Sequence, residues 1–208
     1  MPSKDLTVSR AAASDPVATL KARVEAQFAA ALDKAKLELT EAPVLGPFEW
    51  EVYAFGPYQD PGQEPGRIIA LGQTAYIATV VWLNDSMCKN VAGFGADVLL
   101  NYWTSNTQTM LPVTAMNHYS CIPVTAGGCY YVDIWTFTPT EAACLLETNI
   151  CARLCNCEGY VVPGYAGFVR WVEDFDPELL WPAGPTFDHP IRYLVYDDKD
   201  KCPCPPSR

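Results

Sequence analysis

Residues 138–159 read TPTEAACLLETNICARLCNCEG, and whether they form helix or strand decides the fold. The opening PTEAACLLE has the makings of a helix start. Alternation argues the other way: Leu146, Thr148, Ile150, Ala152 and Leu154 fall on one side of an extended chain, and Glu147, Asn149, Cys151, Arg153, Cys155 and Cys157 on the other. The segment is therefore expected to be a strand.

Working outward, the same texture recurs. FEWEVYAF, RIIALG, TAYIATVVWL, ADVLLNYW, TQTMLPV, CYYVDIWTFT, ACLLETNICARLC, AGFVRWVE and IRYLVY are short aromatic and β-branched runs separated by Gly, Pro, Asn and Asp. With no helical segment expected between them, they indicate an antiparallel β-sandwich, immunoglobulin-like or jelly-roll-like, rather than βαβ units. GPYQDPGQEPG, residues 56–66, is the clearest long connection.

One helix is expected ahead of this body, over residues 15–40, with Asp15 as N-cap and Pro16 at the first helical position. Val17, Leu20, Val24, Phe28, Ala31, Leu32, Ala35 and Leu39 recur on one stripe, and Pro43 closes the segment. The chain thus divides into an arm, 1–42, and a cysteine-rich sandwich, 43–208, with a proline-rich tail. A complete apolar stripe needs a partner surface. Val17, Leu20, Val24, Phe28, Leu32 and Leu39 are candidates for an interface, with the chain's own sheet or with a neighbouring subunit.

Half of the 208 residues are hydrophobic and 18% are charged, enough apolar material for a full core. The arm carries six basic and six acidic groups, so the net charge of -10 lies on the body. An acidic body disfavours nucleic acid. MPSKDLTVSRAAASDP offers no secretory h-region, and no apolar run approaches the ~20 residues of a membrane helix. A soluble protein without membrane insertion is expected.

Nine cysteines sit oddly with an unsignalled chain, since disulfides belong to oxidising compartments. The content suggests an extracellular or particle-associated end state. On a strand, Cys155 and Cys157 share one side ~7 Å apart, and Cys202 and Cys204 in the tail KCPCPP supply a matching pair, so the tail is a candidate staple onto this strand. Cys121 with Cys129 across CIPVTAGGC, and Cys88 with Cys144 or Cys151, are further disulfide candidates. The same four residues, Cys155, Cys157, Cys202 and Cys204, also suit a thiolate zinc site, although one intervening residue per pair is not the usual spacing. Buried thiols are the third reading.

Other constellations are weaker. His118 lies three residues before Cys121, the one place where a nucleophile and base come close in sequence. Glu173, Asp174, Asp176 and Glu178, and Asp197, Asp198 and Asp200, offer oxygens to calcium without EF-hand spacing. Tyr160, Tyr165, Phe168, Trp171 and Trp181 suit a core, or a sugar-stacking or interface surface. No phosphate loop, dinucleotide fingerprint or HExxH pattern occurs. No catalytic residues or cofactor are assigned, and a non-enzymatic subunit of a homomeric filament, sheath, coat or particle, with itself as partner, is expected. The alternatives are a monomeric module binding carbohydrate, peptide or calcium, and a cytosolic thiolate-zinc protein.

Overall fold

The computed structural model describes residues 15–38, 50–125, 127, 129–155, 161–168, 170–171 and 190–197. The strands are β1 (Trp50–Tyr58), β2 (Ile68–Ala70), β3 (Ala75–Leu83), β4 (Asp97–Asn106), β5 (Leu111–Pro112), β6 (His118–Pro123), β7 (Tyr130–Phe137), β8 (Ala143–Cys155), β9 (Val161–Phe168), β10 (Arg170–Trp171) and β11 (Ile191–Tyr196). Helix α1 (Pro16–Glu38) precedes them, and α2 (Asp85–Gly93) joins β3 to β4. The strands form a sandwich. One sheet has the order β10-β1-β3-β7; the other runs β2-β11-β8-β4-β5, with β6 also on β4 and β9 also on β8. Pairing is antiparallel except for β1 with β10 and β2 with β11.

The deciding stretch is strand through Cys155, and its alternation matches its burial. Leu146, Thr148, Ile150, Ala152 and Leu154 are buried, while Glu147, Asn149 and Cys151 are half-buried and Arg153 is exposed. β4, paired along most of β8, alternates in the same way: Val98, Leu100, Tyr102 and Thr104 point inward. β1 and β3 do not alternate, and β3 is buried at every position but Trp82. A strand buried on both faces must be covered twice. Ile77, Val81 and Leu83 of β3 face the other sheet, whereas Tyr76, Ala78 and Val80 face α1.

Helix α1 starts as expected. The Asp15 carboxylate accepts the Val17 N–H at 3.0 Å, and the Asp15 carbonyl accepts the Thr19 N–H at 2.9 Å. Its stripe is occupied from within: Leu20, Val24, Phe28 and Ala31 are buried against Tyr53, Phe55, Tyr58, Tyr76 and Val132, with Val17 and Leu32 at the margin. Of the two partners open to this stripe, the chain's own sheet is the one it packs on, covering the apolar outer face of the four-stranded sheet. Arg23 ties the helix to the long loop, donating to the Pro61 and Gln63 carbonyls at 3.1 and 2.6 Å and pairing with Glu64 at 2.7 Å. That loop opens at Gly56, with φ 134° and its missing Cβ only 3.0 Å from the Tyr76 carbonyl oxygen. Leu39 lies outside the described residues.

Two corrections concern elements the sequence did not announce. α2 was not expected; Cys88 and Val91, three residues apart, plug into the core between the sheets. CIPVTAGGC does not close on itself within one sheet. β6 ends it on one sheet by pairing with β4, while β7 begins on the other by pairing with β3, so the segment crosses the sandwich. Cys121 and Cys129 therefore depart with different sheets. Cys129 keeps its sulfur as a thiol, as do Cys88 and Cys151, so neither the expected Cys121–Cys129 bridge nor a Cys88–Cys151 bridge forms. Cys157, Cys202 and Cys204 lie outside the described residues, as does the Cys155 side chain, and with them the staple and the zinc site.

Candidate functional site

One broad surface of the sandwich has no helix over it among the described residues: the outward face of β6, β4 and β8. Register builds it in rows. Asn101 of β4 stands between Tyr119 of β6 and Cys151 of β8; the next row is Leu99 between Cys121 and Arg153; Trp103 faces Asn149. Outward positions on a sheet with one covered face are ordinarily small and polar. Here Trp103 is 38% exposed and Tyr119 is 70% exposed, on adjacent strands two residues out of register. Such diagonal neighbours are about 7–8 Å apart at Cα, within reach of aromatic side chains.

Around this pair lies an open groove of about 590 Å³, lined by Asn101, Tyr102, Trp103, Asn117, His118, Tyr119, Cys151 and Arg153. Its lining has three aromatic side chains, of which Trp103 and Tyr119 face outward, an imidazole, two amides, a cysteine and one guanidinium, with no carboxylate. Glu147, on the same sheet face, is engaged with Arg192 at 3.0 Å.

The floor is held rigid by hydroxyl groups between the sheets. Thr104 donates to the Met116 carbonyl at 3.3 Å, the Thr104 and Thr148 hydroxyls are 2.8 Å apart, and Thr148 is 3.0 Å from the Tyr193 hydroxyl. With one proton each, the three hydroxyls are satisfied in a single direction, from Tyr193 through Thr148 and Thr104 to Met116. The turn at Thr114–Met116 is thereby fixed to β4. Asn117 follows it, its side-chain oxygen accepting the Thr104 N–H at 3.1 Å. Burial pushes the Tyr193 phenol up to about 12, against the opposing effect of the two threonine hydroxyls.

A second cluster closes the lateral edge between β6 and β7. Tyr102 donates to Asp133 at 2.8 Å and lies 2.9 Å from the Thr79 hydroxyl, and Ser120 donates to the other Asp133 oxygen at 2.8 Å. Burial, then the Asp133 charge, hold the Tyr102 phenol well above its ordinary range.

His118 belongs to this edge. Its ring lies parallel to that of Trp135, 6.0 Å away and 3° from coplanar in orientation, and tilts against Tyr102 at 5.7 Å. Cys121, an odd number of positions along the same strand, faces the opposite side, so the two do not form a nucleophile–base pair. Among the described residues no group of three or more His, Cys, Asp or Glu side chains is placed to hold a metal. Glu173, Asp174, Asp176, Glu178, Asp198 and Asp200 lie outside the described residues, as do Tyr160, Trp181 and the side chains of Tyr165, Phe168 and Trp171.

The sequence reading did not single out Trp103, Tyr119, Asn101 or Asn117. The available signal was in ADVLLNYWTSN: once Val98, Leu100, Tyr102 and Thr104 are assigned to the core, a tryptophan is left on the solvent side.

No family model and no curated protein matches the chain. Similar solved structures include the CARDB domain of the PF1109 protein from Pyrococcus furiosus (14% identity over 60% of this chain and 89% of that one, TM-score 0.30). An immunoglobulin-like protein from Pseudomonas aeruginosa is similar at 11% identity over 64% of this chain and 99% of that one, TM-score 0.27. A β-glucosidase from Listeria innocua matches at 9% identity over 60% of this chain and 16% of its own, TM-score 0.33. At these TM-scores nothing about a ligand or a role follows from them.

Proposed function

We propose that this chain is a non-enzymatic binding module that takes a carbohydrate on the outward face of β6, β4 and β8. The observation that carries the reading is the exposed Trp103 and Tyr119, set diagonally on a rigid sheet in a groove that also holds the amides of Asn101 and Asn117. Sugars present apolar C–H faces and a rim of hydroxyl groups. Aromatic faces bury the first, and amides, which donate and accept, match the second. The site rests on strands, so little ordering entropy opposes binding.

Catalysis is not part of the proposal, since the groove lining contains no carboxylate pair and its histidine is stacked on Trp135. Assembly through the helical arm is not part of it either, because the apolar stripe of the arm packs on the chain's own sheet.

The test is a panel of soluble oligosaccharides measured by titration calorimetry with the wild-type chain, Trp103→Ala and Tyr119→Ala. At least one sugar should bind the wild type and be lost from both variants while their folding transitions stay in place. A panel with no binder, or variants that bind as the wild type does, would remove the proposal.

A further inference from the structure

Charge sorts the ligand further. The chain is acidic, with a net charge of -10, yet the groove lining carries one formal charge, the cation Arg153. Among the described residues Arg153 has no ion pair or hydrogen bond, whereas Arg23 and Arg192 are both committed to glutamates. Of the acidic side chains described on the same sheet face, Glu147 is engaged by Arg192, and Asp97 stands one row from Arg153 on the side away from Asn101 and does not line the groove. Arg153 is exposed, yet its strand pairs with β4 on one side and β9 on the other, so its backbone is fixed.

An uncommitted guanidinium in the same groove as two outward aromatic side chains, one row along from Tyr119 and two rows from Trp103, is a fork for a planar anion, and a carboxylate fits it with two parallel hydrogen bonds. Resting on the carbohydrate reading above, we infer that the ligand is an acidic oligosaccharide of the uronate class, its rings stacked on Trp103 and Tyr119 and one of its carboxylates held by Arg153. Asn101, on the neighbouring strand one row away, is placed to donate to the same carboxylate or to an adjacent hydroxyl.

The experiment compares a galacturonate trisaccharide with its fully methyl-esterified form, which keeps the ring and loses the charge. Both are titrated into the wild type, Arg153→Gln, Arg153→Lys and Trp103→Ala. The acid should bind on the order of tenfold tighter than the ester, the increment of a charge-assisted hydrogen-bond pair. Added salt should narrow that gap. Arg153→Gln should abolish the preference, bringing the affinity for the acid down to that for the ester. Arg153→Lys, which keeps the charge without the fork, should retain part of it and confirms that the site survives substitution. Trp103→Ala should lose both ligands. Equal affinity for acid and ester, or a preference that survives Arg153→Gln, would overturn the uronate assignment while leaving the carbohydrate site standing. Binding of neither, with neutral sugars also silent, would overturn both.

Discussion

Tyr193 shows at the scale of one residue what the buried hydroxyl chain costs and supplies. Its folded pKa of about 12 stands above the ordinary 10, so below pH 10 its contribution to stability is complete. Between pH 10 and 12 the unfolded chain releases the phenolic proton and the folded chain keeps it, so stability falls as pH rises, by roughly 3 kcal/mol at most. Tyr102 shifts in the same direction and adds to the loss. Urea unfolding across that range should show a declining midpoint, and Tyr193→Phe should flatten part of the decline; a midpoint independent of pH up to 12 would contradict the burial of both phenols. Trp103→Ala acts on the other side of the same strand. Its effect on stability should stay within about 1 kcal/mol, as for an outward position, while sugar affinity drops at least tenfold, the weight of an aromatic anchor. Trp103 was hidden in the sequence because an apolar letter in a strand reads as core until its neighbours' facing is known. Tyr119 was hidden because HYSCIP mixes polar and apolar residues on an edge strand and does not resemble a strand at all.

At the scale of elements, α1 and β8 were legible and α2 and β6 were not. β8 and α1 are long enough for periodicity to speak: residues 145–154 alternate cleanly in one, and four buried apolar positions recur through the other. α2 spans nine residues with only Cys88 and Val91 buried among those described, too short for a period to emerge. What no periodicity encodes is the partner of a face. The stripe of α1 demanded a surface, and only the three-dimensional placement of Tyr53, Phe55 and Tyr76 shows that the chain supplies its own. Phe28→Ala, which removes a ring packed 5.3 Å from Tyr130 and 6.3 Å from Tyr53, should therefore cost about 3–5 kcal/mol in urea unfolding. A cost under 1 kcal/mol would mean that the helix does not rest on the sheet in solution. Asp15→Ala should cost about 1 kcal/mol through loss of the cap alone.

For the whole molecule, the two sheets divide the labour. The four-stranded sheet is buried on both faces, by the core and by α1; the seven-stranded sheet keeps its outward face for groups that a core does not need. That asymmetry makes residues 143–155 decisive: the alternation that identifies β8 as a strand also shows that one of its faces looks out. Native mass spectrometry should then find a monomer, because the apolar stripe proposed for assembly is already covered, and a ladder of homomers would restore self-association through some other surface. The most direct test of the account is a titration of the isotope-labelled protein with the galacturonate trisaccharide, followed by amide and indole resonances. Shifts should concentrate at Asn101, Trp103, Asn117, Tyr119 and Arg153, with α1 and the 56–66 loop silent. Shifts centred on α1 or the 56–66 loop, or no shifts with this sugar or any neutral one, would contradict it.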